Sequence, residues 1–214
     1  MTNGVVFVID DDPSVRRSVS RLLRSHDKCV QTYQSAQDFL DLELPSVPAC
    51  LVLDLQMPGV DGLDLQRLLA RNRDTLPIVF ISGHGSIVAS VRAMKEGAVD
   101  FLTKPFDDNQ LIVAIDTALD RAQRAHERRN ALDRDRIAFD SLTQRERQVC
   151  LRVAEGMLNK QIGCELGTSE KTIKAQRGQV MHKLGAQSAA DLVRFVERLR
   201  SSGQLECQAT AIEN

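Results

Sequence analysis

The chain has 214 residues, 43% hydrophobic and 27% charged, with a formal net charge of −1 at pH 7. That length suffices for two cores of ordinary size, and no apolar run approaches the roughly 20 residues that span a bilayer, so a membrane protein is not expected. The five cysteines, at positions 29, 50, 150, 164 and 207, show no close pair and no metal-ligand spacing, which excludes a disulfide scaffold and predicts reduced thiols, with Cys29 and Cys50 as small buried side chains in strands.

The first apolar run, Val5 to Ile9, leads directly into Asp10, Asp11 and Asp12. Three adjacent like charges at the end of a buried strand are tolerable only where solvent or a cation neutralises them, which reads as a metal site. Val15, Val19, Leu22 and Leu23 then follow helical spacing, and Ser35 with Asp38 forms a capping box that opens a helix over Phe39 and Leu40. Leu51 to Leu53 ends in Asp54 and is followed by Leu63, Leu65, Leu68 and Leu69. Pro77 to Ile81 ends in Ser82 and is followed by Ile87, Val88, Val91 and Met94, while Val99 to Leu102 leads into Thr103, Lys104 and Pro105. Strand alternating with helix predicts an α/β doubly wound parallel sheet, whose ligands sit beyond the carboxyl ends of the strands. Asp10, Asp11, Asp54, Ser82 and Lys104 all fall there.

Three carboxylates without His or Cys make a hard, all-oxygen site suited to Mg²⁺. Lys104 adds a second positive charge, so a phosphoryl group could be held against a nucleophile, and the remaining carboxylate would then form an acyl phosphate. Any one of these Asp residues alone would be an ordinary turn former or helix cap; their combination with Lys104 points to chemistry.

Residues 1–120 carry 11 Lys and Arg against 17 Asp and Glu, whereas residues 141–200 carry 11 against 6, so the two halves face different partners. Between them, Arg121, Arg124, Arg128, Arg129, Arg134 and Arg136 alternate with acids in a stretch free of Gly and Pro. This predicts a solvated helix continuing from one that begins near Asp107, or a helix that pairs with a copy of itself. Beyond it, Thr143 with Glu146 forms a capping box, Asn159 opens a second helix, Ser169 caps a third that ends at Leu184 before Gly185, and Ser188 with Asp191 starts a fourth. The break from Leu166 to Ser169 is what a helix-turn-helix needs. Ile173, Val180 and Leu184 share a core-facing side of the third helix, leaving Lys171, Lys174, Ala175 and Gly178 on another, with small residues for close approach to a major groove and cations for phosphates or guanine edges. Gly178 costs a helix interior about 1 kcal/mol relative to Ala, which implies close contact with DNA or with a neighbouring helix. The tail from Ser201 to Asn214 is expected to be mobile.

The runs Val-Ile-Asp10-Asp11-Asp12-Pro13, Leu53-Asp54-Leu55-Gln56-Met57-Pro58-Gly59, Ile81-Ser82-Gly83-His84-Gly85 and Phe101-Leu102-Thr103-Lys104-Pro105-Phe106 resemble the receiver domain of two-component response regulators. That resemblance implies a flavodoxin-like receiver with a five-stranded parallel sheet, with Asp54 as the phosphoacceptor. Mg²⁺ would be held by Asp10, Asp11, Asp54 and the backbone carbonyl of Gln56. Ser82 and Lys104 would bind the phosphoryl group, and Phe101 would be a switch aromatic that changes rotamer. Leu142 to Val149, Ala154-Glu155-Gly156, Asn159 to Ile162, Ser169 to Lys174 and Lys183-Leu184-Gly185 resemble the LuxR-type DNA-binding domain, and the two together resemble the NarL/FixJ branch of transcriptional response regulators. This second resemblance puts Lys174, Ala175 and Gly178 near base edges, and Lys160, Lys171, Thr172 and Arg177 nearer the DNA backbone. Gln176 stands where many relatives have His, so operator sequence does not transfer.

The expected organisation is therefore a receiver over residues 1–120, a helical linker over 121–140, a four-helix helix-turn-helix domain over 141–200, and a flexible tail over 201–214. The expected partners are a sensor histidine kinase, promoter DNA, RNA polymerase and a second copy of the chain on phosphorylation, in the cytoplasm and away from membranes. The chain would be no enzyme beyond catalysing its own phosphoryl transfer and dephosphorylation. A phosphatase working through an aspartyl phosphate is the rival reading, but it would place a second acid where Gln56 stands.

Overall fold

The order of elements alternates as the apolar runs predict. The structure, a computed structural model, describes residues 4–71, 76–83, 86–203 and 205. The chain divides into two units, Met1–Glu127 and Arg128–Asn214. The first contains β1 (Val5–Ile9), α1 (Pro13–Ser25), β2 (Cys29–Tyr33), α2 (Ala36–Leu40), β3 (Ala49–Asp54), α3 (Gly62–Arg71), β4 (Ile78–Ser82), α4 (Ile87–Lys95) and β5 (Asp100–Thr103). The 33-residue α5 (Asp108–Asp140) begins in the first unit and ends in the second. No described helix is long and apolar enough to cross a membrane.

The five strands pair in parallel in the order β2-β1-β3-β4-β5. Because side chains alternate across a strand, Phe7, Ile9, Leu51, Leu53 and Phe80 pack on one face against Phe39, Leu63, Leu65 and Leu69. Val6, Val8, Val52, Val79 and Ile81 pack on the other against Val19 and Leu23 of α1 and Leu111, Ile115 and Leu119 of α5. Both faces are covered, so the central strands read as unbroken apolar runs. The exceptions are the two edge strands: β5 buries no residue fully and β2 only Val30; Cys29, expected inside, is exposed. Cys50 on β3 is buried as expected, and burial pushes its thiol up to about 12.

Helix α4 departs from its apolar pattern. Its spacing makes a helix, but Ile87, Val88, Val91 and Met94 are 80%, 77%, 46% and 44% exposed, and the helix buries only Ala93. It is anchored at its C-terminal end, where Gln66 Nε2 donates to the Ala93 carbonyl at 3.2 Å and Glu96 accepts from Arg67 and Arg92. The hydroxyl of Ser86, at the other end, makes no capping hydrogen bond.

The second unit contains α6 (Gln144–Ala154), α7 (Asn159–Glu165), α8 (Glu170–Lys183) and α9 (Ala189–Ser201). Their inward faces bring together Val149, Cys150, Val153, Ile162, Ile173, Val180, Leu192, Phe195, Val196 and Leu199, joined by Phe139 and Leu142. Ser169 caps α8 through the backbone N–H of Thr172, and Ser188 with Asp191 forms the expected box. Asn159 is the first residue of α7 and not its cap: Gln161 Oε1 accepts from the backbone N–H of Leu158, while the Asn159 side chain accepts from Arg177. Gly167, with φ +64°, adopts the left-handed backbone that lets the chain turn between α7 and α8. In the tail, Ser201 closes α9 and the backbone N–H of Leu205 donates to Leu199; Gln204 and residues 206–214 lie outside the described residues, as does His84.

Glu146 ties this unit together. Only 5% exposed, it accepts from the backbone N–H of Thr143 at 2.8 Å and from Lys183 Nζ at 2.7 Å, joining the start of α6 to the end of α8. The Lys183 hydrogen bond, helped by that of Thr143, holds its carboxyl below the ordinary 4.5. A depressed carboxyl stabilises the fold above that ordinary value and loses the contribution as pH falls through the folded one. Glu146→Ala should therefore cost this unit about 2 kcal/mol at neutral pH, from the lost cap and charged hydrogen bond. The deficit should shrink as pH falls below the ordinary carboxylate range. Hydrogen exchange at the Val149 and Ile173 amides measures it, and an undiminished deficit in acid would show that the carboxylate charge is not what stabilises.

Candidate functional site

Strand register decides which side chains meet. Ile9 lies opposite Leu53, so Asp10, just past β1, and Asp54, the last residue of β3, come side by side at the carboxyl edge of the sheet. Asp54 lies opposite Ile81, which puts Ser82 one step beyond. The backbone N–H of Lys104 donates to the Ser82 carbonyl at 2.7 Å, extending the β4–β5 pairing past its last strand residue. Lys104 then reaches across the edge: its Nζ lies 2.6 Å from Asp10 Oδ2 and 2.7 Å from Asp54 Oδ1. The α3 helix starts close beneath, at a position where only glycine fits, since a Cβ on Gly62 would stand 2.6 Å from the Asp54 carbonyl oxygen.

The electrostatics are those of two carboxylates sharing one ammonium. Asp10 is 0% and Asp54 5% exposed. Burial pushes the Asp54 carboxyl above its ordinary value; Lys104 draws it back and the neighbouring Asp10 charge pushes it further up. Burial also works against the charge on Lys104, but its hydrogen bonds to Asp10 and Asp54 outweigh that and raise it. The other oxygens are occupied by backbone donors: Asp10 Oδ1 accepts from the N–H of Asp12 at 2.8 Å, and Asp54 Oδ2 from the N–H of Gln56 at 3.0 Å.

Of the expected site residues, Asp10, Asp54 and Lys104 are therefore in direct contact, and Ser82, 1% exposed, lies at the adjoining strand end. Asp11 is exposed and does not join them: among the described residues no three His, Cys, Asp or Glu side chains are placed to hold a metal ion. The donor set nonetheless fits a hard divalent cation, since it is all oxygen and one ammonium leaves two carboxylates with a residual negative charge. Phe101 is half-buried, its ring centroid 6.1 Å from that of Phe80. Asp12 is the cap of α1, accepting from the N–H of Ser14 at 2.7 Å, with Pro13 opening the helix. Sequence reading missed Arg16, whose Nη1 donates to the Asp10 carbonyl at 2.5 Å; nothing in its spacing signals that reach back to the strand end.

In the second unit, α8 turns Ile173 and Val180 inward and exposes Lys171, Thr172, Lys174, Ala175 and Gly178; Lys160 on α7 is exposed as well. Thr172 Oγ1 shares a hydrogen bond with Ser169 Oγ at 2.9 Å. Arg177 is half-buried and its Nη1 donates to Asn159 Oδ1 at 3.1 Å, so it braces α7 against α8. A helix exposing cations and small residues beside a tight turn has the form of a major-groove reader.

Comparison with known proteins agrees with both halves. Residues 6–116 match the response regulator receiver domain, and residues 140–196 match the bacterial regulatory proteins of the luxR family. The chain is 46% identical over 198 residues to nodulation protein W of Bradyrhizobium diazoefficiens, covering 92% of this chain and 87% of that protein. It is 40% identical over 190 residues to the transcriptional regulatory protein FixJ of Azorhizobium caulinodans, covering 89% and 90%. Among solved structures, that of the response regulator StyR is 44% identical, with a TM-score of 0.82 over 92% of this chain and 99% of that one. A receiver fold whose strand ends gather two buried Asp and a Lys, followed by a LuxR-type helix-turn-helix, makes the chain a DNA-binding transcriptional response regulator of a two-component system, in the NarL/FixJ branch.

Proposed function

We propose that Asp54 is the phosphoacceptor and that its phosphorylation by a sensor histidine kinase controls promoter binding. The observation that carries this reading is the Lys104 ammonium, 2.7 Å from a buried Asp54 carboxylate and 2.6 Å from Asp10. In the transfer, an Asp54 oxygen attacks the phosphorus of the kinase phosphohistidine; the P–N bond breaks, and the imidazole leaves and takes up a proton. Lys104 exchanges its carboxylate partners for a phosphoryl oxygen, and the Ser82 hydroxyl donates to another. Asp10, Asp11, Asp54 and the Gln56 carbonyl would hold Mg²⁺, which when bound neutralises charge on the phosphoryl oxygens. Hydrolysis of the acyl phosphate at this same site resets the protein.

The added charge biases a pre-existing equilibrium. Phe101 changes rotamer, and the segment from Ser86 to Glu96 settles into a second arrangement. The exposed Ile87, Val88 and Val91 support pairing of α4 with a second copy of the chain. Residues 1–120 act as the receiver, 121–140 as the linker and 141–200 as the DNA-binding domain. There Lys174, Ala175 and Gly178 lie near base edges, and Lys160, Lys171, Thr172 and Arg177 nearer the phosphates. A paired regulator binds two half-sites, loses affinity steeply with salt, and meets RNA polymerase at the promoter, in the cytoplasm.

Promoter-fragment binding and oligomer size, measured for the native chain and for Asp54→Asn with and without a small phosphoryl donor, test this reading. The donor should raise both in the native chain and neither in the variant. A native chain indifferent to the donor would refute the switch.

A further inference from the structure

On the face of α8, Ala175 and Gly178 leave a recess of about 440 Å³, lined also by Glu146, Gln179, His182 and Lys183. A side chain at Gly178 would meet nothing within 4 Å, so no neighbouring helix requires glycine there. Of the two explanations for a costly helical glycine, close approach to DNA is the one that stands. The recess is a poor seat for a phosphate, because its lysine is already neutralised: Lys183 Nζ lies 2.7 Å from the buried Glu146 carboxylate. A neutral base edge suits it better. Gln179 is exposed on the same stripe as Ala175 and His182, one turn of helix from each. Among the described residues none is hydrogen-bonded to its side-chain amide.

Resting on the DNA-binding reading of α8, we propose that Gln179 is a base-reading residue that selects an A·T pair in the major groove. Its Oε1 accepts from adenine N6 and its Nε2 donates to adenine N7, while the recess beside Ala175 and Gly178 takes the thymine methyl. This assigns sequence selectivity to a position one residue beyond Gly178, where a side chain is absent and the helix backbone can come closest to the bases.

The test is selection from a random pool of double-stranded oligonucleotides with the full-length native chain, Gln179→Ala, Gly178→Ala and Lys171→Ala, each treated with a small phosphoryl donor. The native chain should enrich sequences with a fixed A·T position. Gln179→Ala should bind the pool with an unchanged salt dependence and lose about 5- to 150-fold of the preference at that one position. Lys171→Ala should instead weaken binding to every sequence and lower the salt slope by about 1. Gly178→Ala should raise the melting temperature and bind the enriched sequence more weakly; equally tight binding would overturn the close approach. If Gln179→Ala enriches the same sequences as strongly as the native chain, the assignment is wrong. A native chain that, so treated, binds the pool but enriches no sequence would overturn the reading of α8 as a base-reading helix, and the assignment with it.

Discussion

Asp54→Asn is expected to take up no phosphoryl group from a small-molecule donor and, at neutral pH, to be more stable than the native chain. The first result follows from removing the nucleophilic oxygen. The second follows from burial: Asp54 and Asp10 lie side by side with one ammonium between them, and Asn leaves Lys104 matched to a single carboxylate. Because the folded carboxyl lies above the ordinary 3.8, the native state holds more protons than the unfolded chain in the interval between the two values. Stability therefore falls as pH rises through that interval, so the cost is larger at neutral pH than in acid. The variant should gain on the order of 1 kcal/mol there, and the gain should fade as pH drops into the usual carboxylate range. Hydrogen exchange at the Val52 and Phe80 amides reads the stability, and intact-protein mass reads the phosphorylation. A variant less stable than the native chain at neutral pH would mean that the Lys104–Asp54 attraction outweighs burial and repulsion together.

Lys104→Met should have the opposite effect on stability and a larger one. It removes the only described cation in contact with both buried carboxylates, and stranding a buried charge costs about 3–5 kcal/mol. The lower end applies, because the Lys104 side chain is 23% exposed and water partly compensates. Two further measurements separate charge from packing. Adding Asp54→Asn to Lys104→Met should recover part of the loss, since one carboxylate then remains. Mg²⁺ should stabilise Lys104→Met more than the native chain, in which the ammonium already competes for the same oxygens. Calorimetry with and without Mg²⁺ provides both, and a Lys104→Met protein as stable as the native one would show that the ion pairs contribute nothing.

Much of the receiver was legible because a strand buried on both faces must be apolar to its end, so the first polar residue marks the carboxyl edge. Asp10, Asp54 and Ser82 stand out for that reason. The β2 strand carried no such signal, since an edge strand can keep Gln31 and Thr32 in solvent. Periodicity revealed α4 but says nothing of its exposure: Ile87, Val88 and Val91 have helical spacing without a core to fill. Asp12 looked like part of the acidic cluster, although the Pro after it is equally the mark of a helix start. In the second unit the capping residues gave the helices directly, whereas the clamp of Arg177 on Asn159 joins separate helices and has no local signature. Gln179 was overlooked beside the cations because an amide adds nothing to a charge count.

The way α4 is held has a consequence for how quiet the regulator is at rest. A helix that buries one alanine and is fastened mainly at its far end needs little free energy to leave its place, and if α4 is the element that switches, as proposed, its resting and activated arrangements would differ by only a few kcal/mol. Some 0.1–10% of unstimulated molecules would then sit in the activated form. The target promoters would be occupied at a low background level, and the stimulus would turn a volume control instead of throwing a latch.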